Sequence, residues 1–181
     1  GDIEIEQRGA PGDLADELYA LYRQQQSAAA VDSGPFDALS PKLFSAIANH
    51  KPHDTLLLVY RIKGELAGFS ISLFNAHECI GKYMGFRQPL ARQHKLYFVN
   101  WMHVVRFCLA RGIPRLNAGQ NSYKTKVMLG CHLERNWISF RHPDGGWNLL
   151  VKAGGKLARF DTLDAELSHL EQTVPDLYRP R

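Results

Sequence analysis

Between Thr55 and Phe86 the chain reads as three strand-like runs joined by tight turns, and this stretch restricts the fold more than any other. Residues 55–62 are an almost unbroken apolar run, the pattern of a central strand buried on both faces. Lys63-Gly64-Glu65 makes a tight turn. After it, residues 66–75 set Phe69, Ile71 and Leu73 against Gly68, Ser70 and Ser72. That period of two predicts a second strand, antiparallel to the first. Ala76-His77-Glu78 turns the chain again, and residues 79–86 predict a third strand, in which Gly81 and Gly85 allow a close backbone approach.

The remainder supplies cover for this meander. Residues 96–111 are the most apolar helical stretch, with apolar side chains almost all round and only Asn100, His103 and Arg106 as a polar strip, so a buried helix is expected. Gly112 is placed to cap its C-terminus. Upstream, residues 3–6 alternate as a half-buried strand. Asp13 is expected to cap a helix that runs to Gln25 and carries Leu14, Leu18, Leu21 and Tyr22. Ser40-Pro41 opens a second helix with Leu43, Phe44 and Ile47 on its apolar face. Downstream, residues 114–119 predict a short strand, and residues 123–129 a short helix stopped by Gly130. Strands are expected over 131–142 and 147–151 with a turn at Pro143-Asp144-Gly145-Gly146 between them, and a last helix over 163–172 capped by Asp161 with Leu163, Leu167 and Leu170 inward.

Composition bounds the class. A chain of 181 residues with 45% hydrophobic and 22% charged residues can build a core without staples. A net charge of +4, scattered along the chain, permits an anionic ligand without requiring nucleic acid. Three cysteines with no C-x-x-C argue against a disulfide framework and fit a reducing cytoplasm. No apolar run reaches the roughly 18 residues of a membrane span. The chain opens without a leader and without Met, as a processed chain or a piece of a longer protein does.

The element order, together with Lys63-Gly64-Glu65-Leu66-Ala67-Gly68-Phe69, Ala110-Arg111-Gly112-Ile113, Gly119-Gln120, Tyr123-Lys124-Thr125-Lys126 and Leu129-Gly130-Cys131, resembles the GNAT acyltransferase superfamily. The likeness is greatest to its divergent branch of Fem-type and GNAT-like biosynthetic proteins, and it covers residues 39–142. The resemblance implies an α/β fold with a mixed, mostly antiparallel central sheet flanked by helices. It also implies a single GNAT-like domain over 1–181, or the C-terminal half of a tandem GNAT protein. Two departures stand out. The usual glycine-rich pyrophosphate loop before the central helix is replaced by Arg87-Gln88-Pro89-Leu90-Ala91-Arg92-Gln93-His94-Lys95. Lys126 also stands where the family carries its acid Tyr, with Tyr123 one turn earlier.

Candidate chemistry follows from residue type and position. Arg87, Arg92 and Lys95 lead into a helix start, where unbonded N–H groups and cations suit a phosphate, so they are the expected cofactor-binding residues. A solvated basic loop is the plainer reading. Gln120, Asn121, Ser122, Tyr123 and Lys126 follow a strand end, where α/β sheets present ligand groups. Tyr123 can protonate a leaving thiolate and Lys126 can stabilise an oxyanion, whereas Gln120, Asn121, Ser122 and His103 can orient substrate. A capped surface helix with solvated lysines, and a core histidine, are the structural alternatives. His77, Glu78, Cys79, Cys131, His132 and His142 lack any recognised zinc spacing, so no metal is expected.

The resemblance therefore implies an N-acyltransferase acting by direct attack, with acetyl-CoA or a longer acyl-CoA as co-substrate and a small-molecule amine as acceptor. Two rivals remain at this level. One is a Fem-type transferase using aminoacyl-tRNA, the only case in which nucleic acid is a partner. The other is a GNAT-fold binding module without catalysis.

Overall fold

The computed structural model describes residues 2–28, 39–50, 52–119, 122–134, 141, 143–157, 164–174 and 177–178. Residues 1–119 form one compact unit and residues 120–181 a second. In the first unit, β1 (Ile3–Arg8), β2 (Thr55–Ile62), β3 (Glu65–Phe74), β4 (Cys79–Phe86) and β5 (Leu116–Asn117) make one sheet in the order β1-β2-β3-β4-β5. The first three pairings are antiparallel and β4–β5 is parallel. The expected meander is present with the expected turns. The register drifts at two bulges, one opposite Tyr60/Arg61 and one opposite Ile71/Ser72.

Strand alternation sorts the sheet into two cores. Leu56, Leu58, Tyr60 and Ile62 of β2 and Ala67 of β3 face α4 (Leu96–Ala110). Leu57 and Val59 of β2 and Leu66, Phe69 and Ile71 of β3 face the opposite way, against Leu18 and Tyr22 of α1 (Ala15–Ala28) and Phe44 of α2 (Pro41–His50). On that side Tyr22, Phe44, Phe69 and Tyr83 pack with ring centroids 5.8 Å apart, mostly edge to face.

Several local expectations change. Asp13 does not cap α1; a 3₁₀ turn over Gly12–Leu14 precedes the helix, and the Asp13 carboxylate accepts from Arg8 Nη1 at 2.7 Å instead. The helix α4 is not buried all round. One stripe, Leu96, Asn100, Val104 and Cys108, meets the sheet, while Phe98, Met102 and Leu109 are exposed. One layer of sheet can cover only one face of a helix, whatever the composition of the other. Its C-terminus closes as a Schellman motif. Gly112, at φ +64°, donates to the Leu109 carbonyl at 3.2 Å, and Ile113 donates to that of Cys108 at 2.9 Å. Arg111 sits over the rings of Phe74 and Phe107, tying this end to the edge of β3.

In the second unit, α5 (Tyr123–Met128) and α7 (Ala165–Thr173) share a small core of Leu167, Leu170 and Leu177. Between them α6 (Gly145–Leu157) replaces the strand expected over 147–151. The turn-like Asp144-Gly145-Gly146 proves to be a helix start, with the Asp144 carboxylate accepting from the Trp147 N–H at 3.1 Å. A five-residue segment such as 147–151, apolar but for Asn148, cannot separate strand from helix by period alone. The cap of α7 is Asp164, which accepts from the Leu167 N–H at 3.0 Å. The expected cap Asp161 lies outside the described residues. Residues 135–140 and 142 of the strand expected over 131–142 are also outside them. Within the described part, Leu133 makes a parallel bridge to Tyr178. Among the described residues no helix is long and apolar enough to cross a membrane.

The packing of β4 on α1 depends on one missing side chain. A Cβ on Gly85 would lie 2.7 Å from the Phe69 ring and 2.8–2.9 Å from the backbone of Leu21 and Tyr22, so the close approach read from the sequence is real here. At Gly81 a Cβ would meet only the Asn117 carbonyl oxygen at 3.8 Å. Gly85→Ala is expected to cost about 3 kcal/mol in urea unfolding, since neither helix nor strand backbone can give way cheaply. Gly81→Ala should stay within about 1 kcal/mol of wild type. Equal costs at the two positions would mean that α1 can move off the sheet.

Candidate active site

The parallel pairing of β4 and β5 lasts two residues, Cys79 with Leu116 and Ile80 with Asn117, and then the strands part. So short a strand needs outside support. Glu78 provides it, accepting from Arg115 Nε at 3.1 Å and from Asn117 Nδ2 at 3.3 Å, while the Cys79 N–H donates to the Arg115 carbonyl. Asn117 then ends the strand: its Oδ1 accepts from the Gly119 N–H at 3.0 Å, and Gly119 turns away at φ +72°. Just where the strands part, β4 bulges. Ile71 faces Tyr83 and Ser72 faces Gly81, so Lys82 has no opposite number on β3. Bulges of this kind re-aim backbone and side chains beside sites.

A chamber fills the space between this divergence and α4. It is lined by Ser70 and Ser72 of β3, by Gly81, Lys82 and Met84 of β4, by Tyr97, Asn100, Trp101 and Val104 of α4, and by Asn117. Its walls are mainly apolar, with one buried polar group at the helix side. The carboxamide oxygen of Asn100 accepts from the Tyr60 hydroxyl at 2.8 Å and from the Ser70 hydroxyl at 2.5 Å. Burial raises the Tyr60 pKa, which keeps its hydroxyl protonated and donating. Cys79 and Cys108 are buried nearby on β4 and α4, and burial pushes the Cys79 thiol up to about 12, which makes it inert at neutral pH.

The residues singled out from the sequence fall in several places. Arg87, just past the end of β4, donates to Glu65 at the start of β3 at 3.1 Å, and Arg92 and Lys95 are exposed. A one-turn helix α3 (Leu90–Gln93) intervenes before α4, and Lys95 joins the two in the left-handed conformation. Lys95 and His103 line an outer groove of α4 with Phe98, Met102 and Arg106, whereas Asn100, on the same helix, lines the chamber. Gln120 and Asn121 lie outside the described residues. Ser122 is exposed at φ +53°. Tyr123 packs half-buried against the Leu167–Leu170–Leu177 core, and Lys126 is buried in the same unit. Burial lowers the Lys126 pKa, opposed by charge interaction with Cys131 and Glu166. Among the described residues no group of three metal-binding side chains converges.

Lys82, Ser70, Asn117 and above all Asn100 line the chamber and were not singled out from the sequence as candidate site residues. The signal for Asn100 was available: it is spaced four residues from Leu96 and from Val104, on the same helical stripe, so an amide stood in line with the buried face. Nothing in the sequence marked the bulge at Lys82, because it depends on how β3 and β4 pair.

Residues 1–126 match the acetyltransferase (GNAT) domain family, so the chain belongs to that family and is an acyltransferase by membership. Solved structures agree in fold. A predicted acetyltransferase of Clostridium acetobutylicum, solved with acetyl-CoA, is similar at a TM-score of 0.60 and 10% identity over 78% of this chain and 99% of that one. An aminoglycoside N-acetyltransferase in complex with CoA is similar at 0.55 and 13%, over 78% and 95%. An acetyltransferase of Trypanosoma brucei is similar at 0.51 and 16%, over 78% and 100%. No curated protein matches the chain.

The buried Lys126 makes a pH-dependent contribution whose sign is fixed. Its pKa in the folded chain lies below the ordinary 10.5, so the unfolded chain holds the proton more tightly. The charged side chain therefore opposes folding at neutral pH, and this cost fades as pH rises toward the ordinary value. Lys126→Met should raise the melting temperature at pH 7, with a smaller gain at pH 10. A loss of melting temperature at pH 7 would show that the polar contacts of Lys126 outweigh its desolvation.

Proposed function

We propose that this chain is an N-acyltransferase that transfers an acyl group from an acyl-CoA to the amine of a small molecule by direct attack. One observation carries the reading: in a chain of the GNAT family, a mainly apolar chamber lies where β4 bulges and parts from β5. In this reaction the amine nitrogen bonds to the thioester carbonyl carbon and negative charge gathers on the carbonyl oxygen. The C–S bond then breaks, the amine loses a proton and the thiolate gains one. Catalysis needs donors for the oxyanion and a route for those protons. A bulged strand offers backbone donors outside the ladder, and apolar walls exclude water from the thioester. The similar aminoglycoside N-acetyltransferase and the structure solved with acetyl-CoA support a small amine acceptor and a CoA-linked donor.

Arg87, Arg92 and Lys95 are proposed to attract the phosphates of the donor. Their exposure supports this, because surface cations bind anions at little cost to the fold. Tyr123 and Lys126 are proposed for proton transfer and oxyanion stabilisation on their residue types and on the lowered pKa of Lys126, which brings an amine closer to neutral exchange. Gln120, Asn121, Ser122 and His103 are proposed to orient substrate.

Acetyl-CoA or a longer acyl-CoA should raise the melting temperature by several degrees at about 1,000 times its Kd, since linkage then supplies about 4 kcal/mol. Changing Arg87, Arg92 and Lys95 together to Ala should weaken that binding and leave the ligand-free melting temperature near wild type. No shift with any CoA thioester would favour the non-catalytic module. Donor binding by aminoacyl-tRNA alone, with a steep salt dependence, would favour the Fem-type reaction.

With a verified amine acceptor, Tyr123→Phe should lower kcat by about 10²-fold with little change in stability. Lys126→Met should lower kcat in the same assay. Wild-type turnover by both variants would assign the pair to structure.

A further inference from the structure

Asn100 is the buried polar group that α4 contributes to the chamber, 7% exposed on the stripe that meets the sheet. Its oxygen is saturated, because the Tyr60 and Ser70 hydroxyls take its two lone-pair directions. Its amide nitrogen has no protein partner among the described residues. Yet no enclosed side-chain nitrogen or oxygen among them lacks a partner. The Asn100 N–H₂ group therefore reaches the open space that the residue lines. Two hydroxyls on separate strands fix the orientation of the carboxamide, so the chamber is built with a hydrogen-bond donor set among Met84, Trp101 and Val104.

The position of that donor defines what it can reach. The bulge at Lys82 is on β4, while the hydroxyls that hold Asn100 come from β3 and β2, about one and two strand spacings of ~4.8 Å further in. An acyl chain that enters at the bulge and runs inward approaches this amide, because Lys82 and Asn100 line the same chamber. We propose that Asn100 is a specificity-determining residue. Its N–H₂ group binds an oxygen on the third carbon of a short acyl chain, so that the chamber prefers a four-carbon 3-oxo or 3-hydroxyacyl thioester to the plain acyl chain of the same length. A neutral oxygen is matched by the neutral amide of Asn100, whereas a carboxylate buried beside it would carry a larger desolvation cost. This inference rests on the acyl-CoA reading above and adds the donor class to it.

The test compares three thioesters of equal chain length, butyryl-CoA, 3-hydroxybutyryl-CoA and acetoacetyl-CoA, by calorimetry on the intact chain. The two oxygenated ligands should bind about tenfold more tightly than butyryl-CoA, the worth of one good neutral hydrogen bond. Asn100→Leu should abolish the difference. Because that change strands two buried hydroxyls, the triple variant Tyr60→Phe/Ser70→Ala/Asn100→Leu removes the whole network and keeps the fold testable. Acetyl-CoA serves as the control for the underlying reading. If it and all three longer thioesters fail to bind, the acyl-CoA reading falls and this one with it. If CoA thioesters bind but wild type does not distinguish butyryl from the oxygenated ligands, or if the preference survives in a folded Asn100 variant, the role of Asn100 alone is overturned. A preference for 3-hydroxybutyryl-CoA without one for acetoacetyl-CoA would overturn the donor role, because a donor serves both oxygens.

Discussion

Burial of β2 and β3 on both faces is the constraint from which the rest of the first unit follows. Leu57 and Leu58 are neighbours pointing in opposite directions, and both are buried. A sheet with two dry faces must be covered twice, so α1 and α2 lie on one side and α4 on the other. Each fully buried Leu, Ile, Val or Phe contributes roughly 1.5–3 kcal/mol relative to exposure, and the two clusters hold more than a dozen such groups. That surplus lets the edge of the sheet depart from regularity. The bulge at Lys82, in the β3–β4 ladder, and the two-residue β5 each forgo ladder hydrogen bonds, and they flank the same strand, β4, on its two sides.

The irregular edge is held by polar side chains rather than by apolar packing. Glu78 joins Arg115 and Asn117, and Asn117 in turn sets the Gly119 turn. Deeper in, Tyr60, Ser70 and Asn100 form a polar island inside the α4 core. Such an island adds little to stability compared with apolar groups of the same shape, and it costs heavily if one member is lost. Its presence is better explained by what it orients. The β2–β3 hairpin and α4, separate in sequence, meet there to fix one amide beside the chamber. The opposite core is built of Tyr22, Phe44, Phe69 and Tyr83, which pack ring on ring, and Tyr83 also lines the chamber.

Sequence reading succeeded where a signal was local and long. The apolar run at 55–62, the alternation at 66–75 and the glycine after the central helix all correspond to observed elements. It failed where a short segment had two local solutions. Asp144-Gly145-Gly146 is a turn in one setting and a helix start in another, and Asp13 found Arg8 instead of a helix N-terminus. Neither choice can be made from a few residues, because each depends on a partner that the fold supplies.

By itself, then, the sequence determined the strands of the meander, their two-sided burial and the position of the covering helix, since period and composition dictate those. It could not determine which face of that helix would be covered. Apolar residues occur nearly all round residues 96–111, and only contact with the sheet chose the stripe of Leu96, Asn100, Val104 and Cys108 and left Phe98 and Met102 outside. The chamber was decided at the same level. Pairing of β3 with β4 placed the bulge at Lys82, the Glu78 clamp fixed where β5 stops, and docking of α4 brought Asn100 to Tyr60 and Ser70, 40 and 30 residues away in the chain. Contacts across such separations leave no periodic trace in the sequence, because they are set by register and docking rather than by local preference.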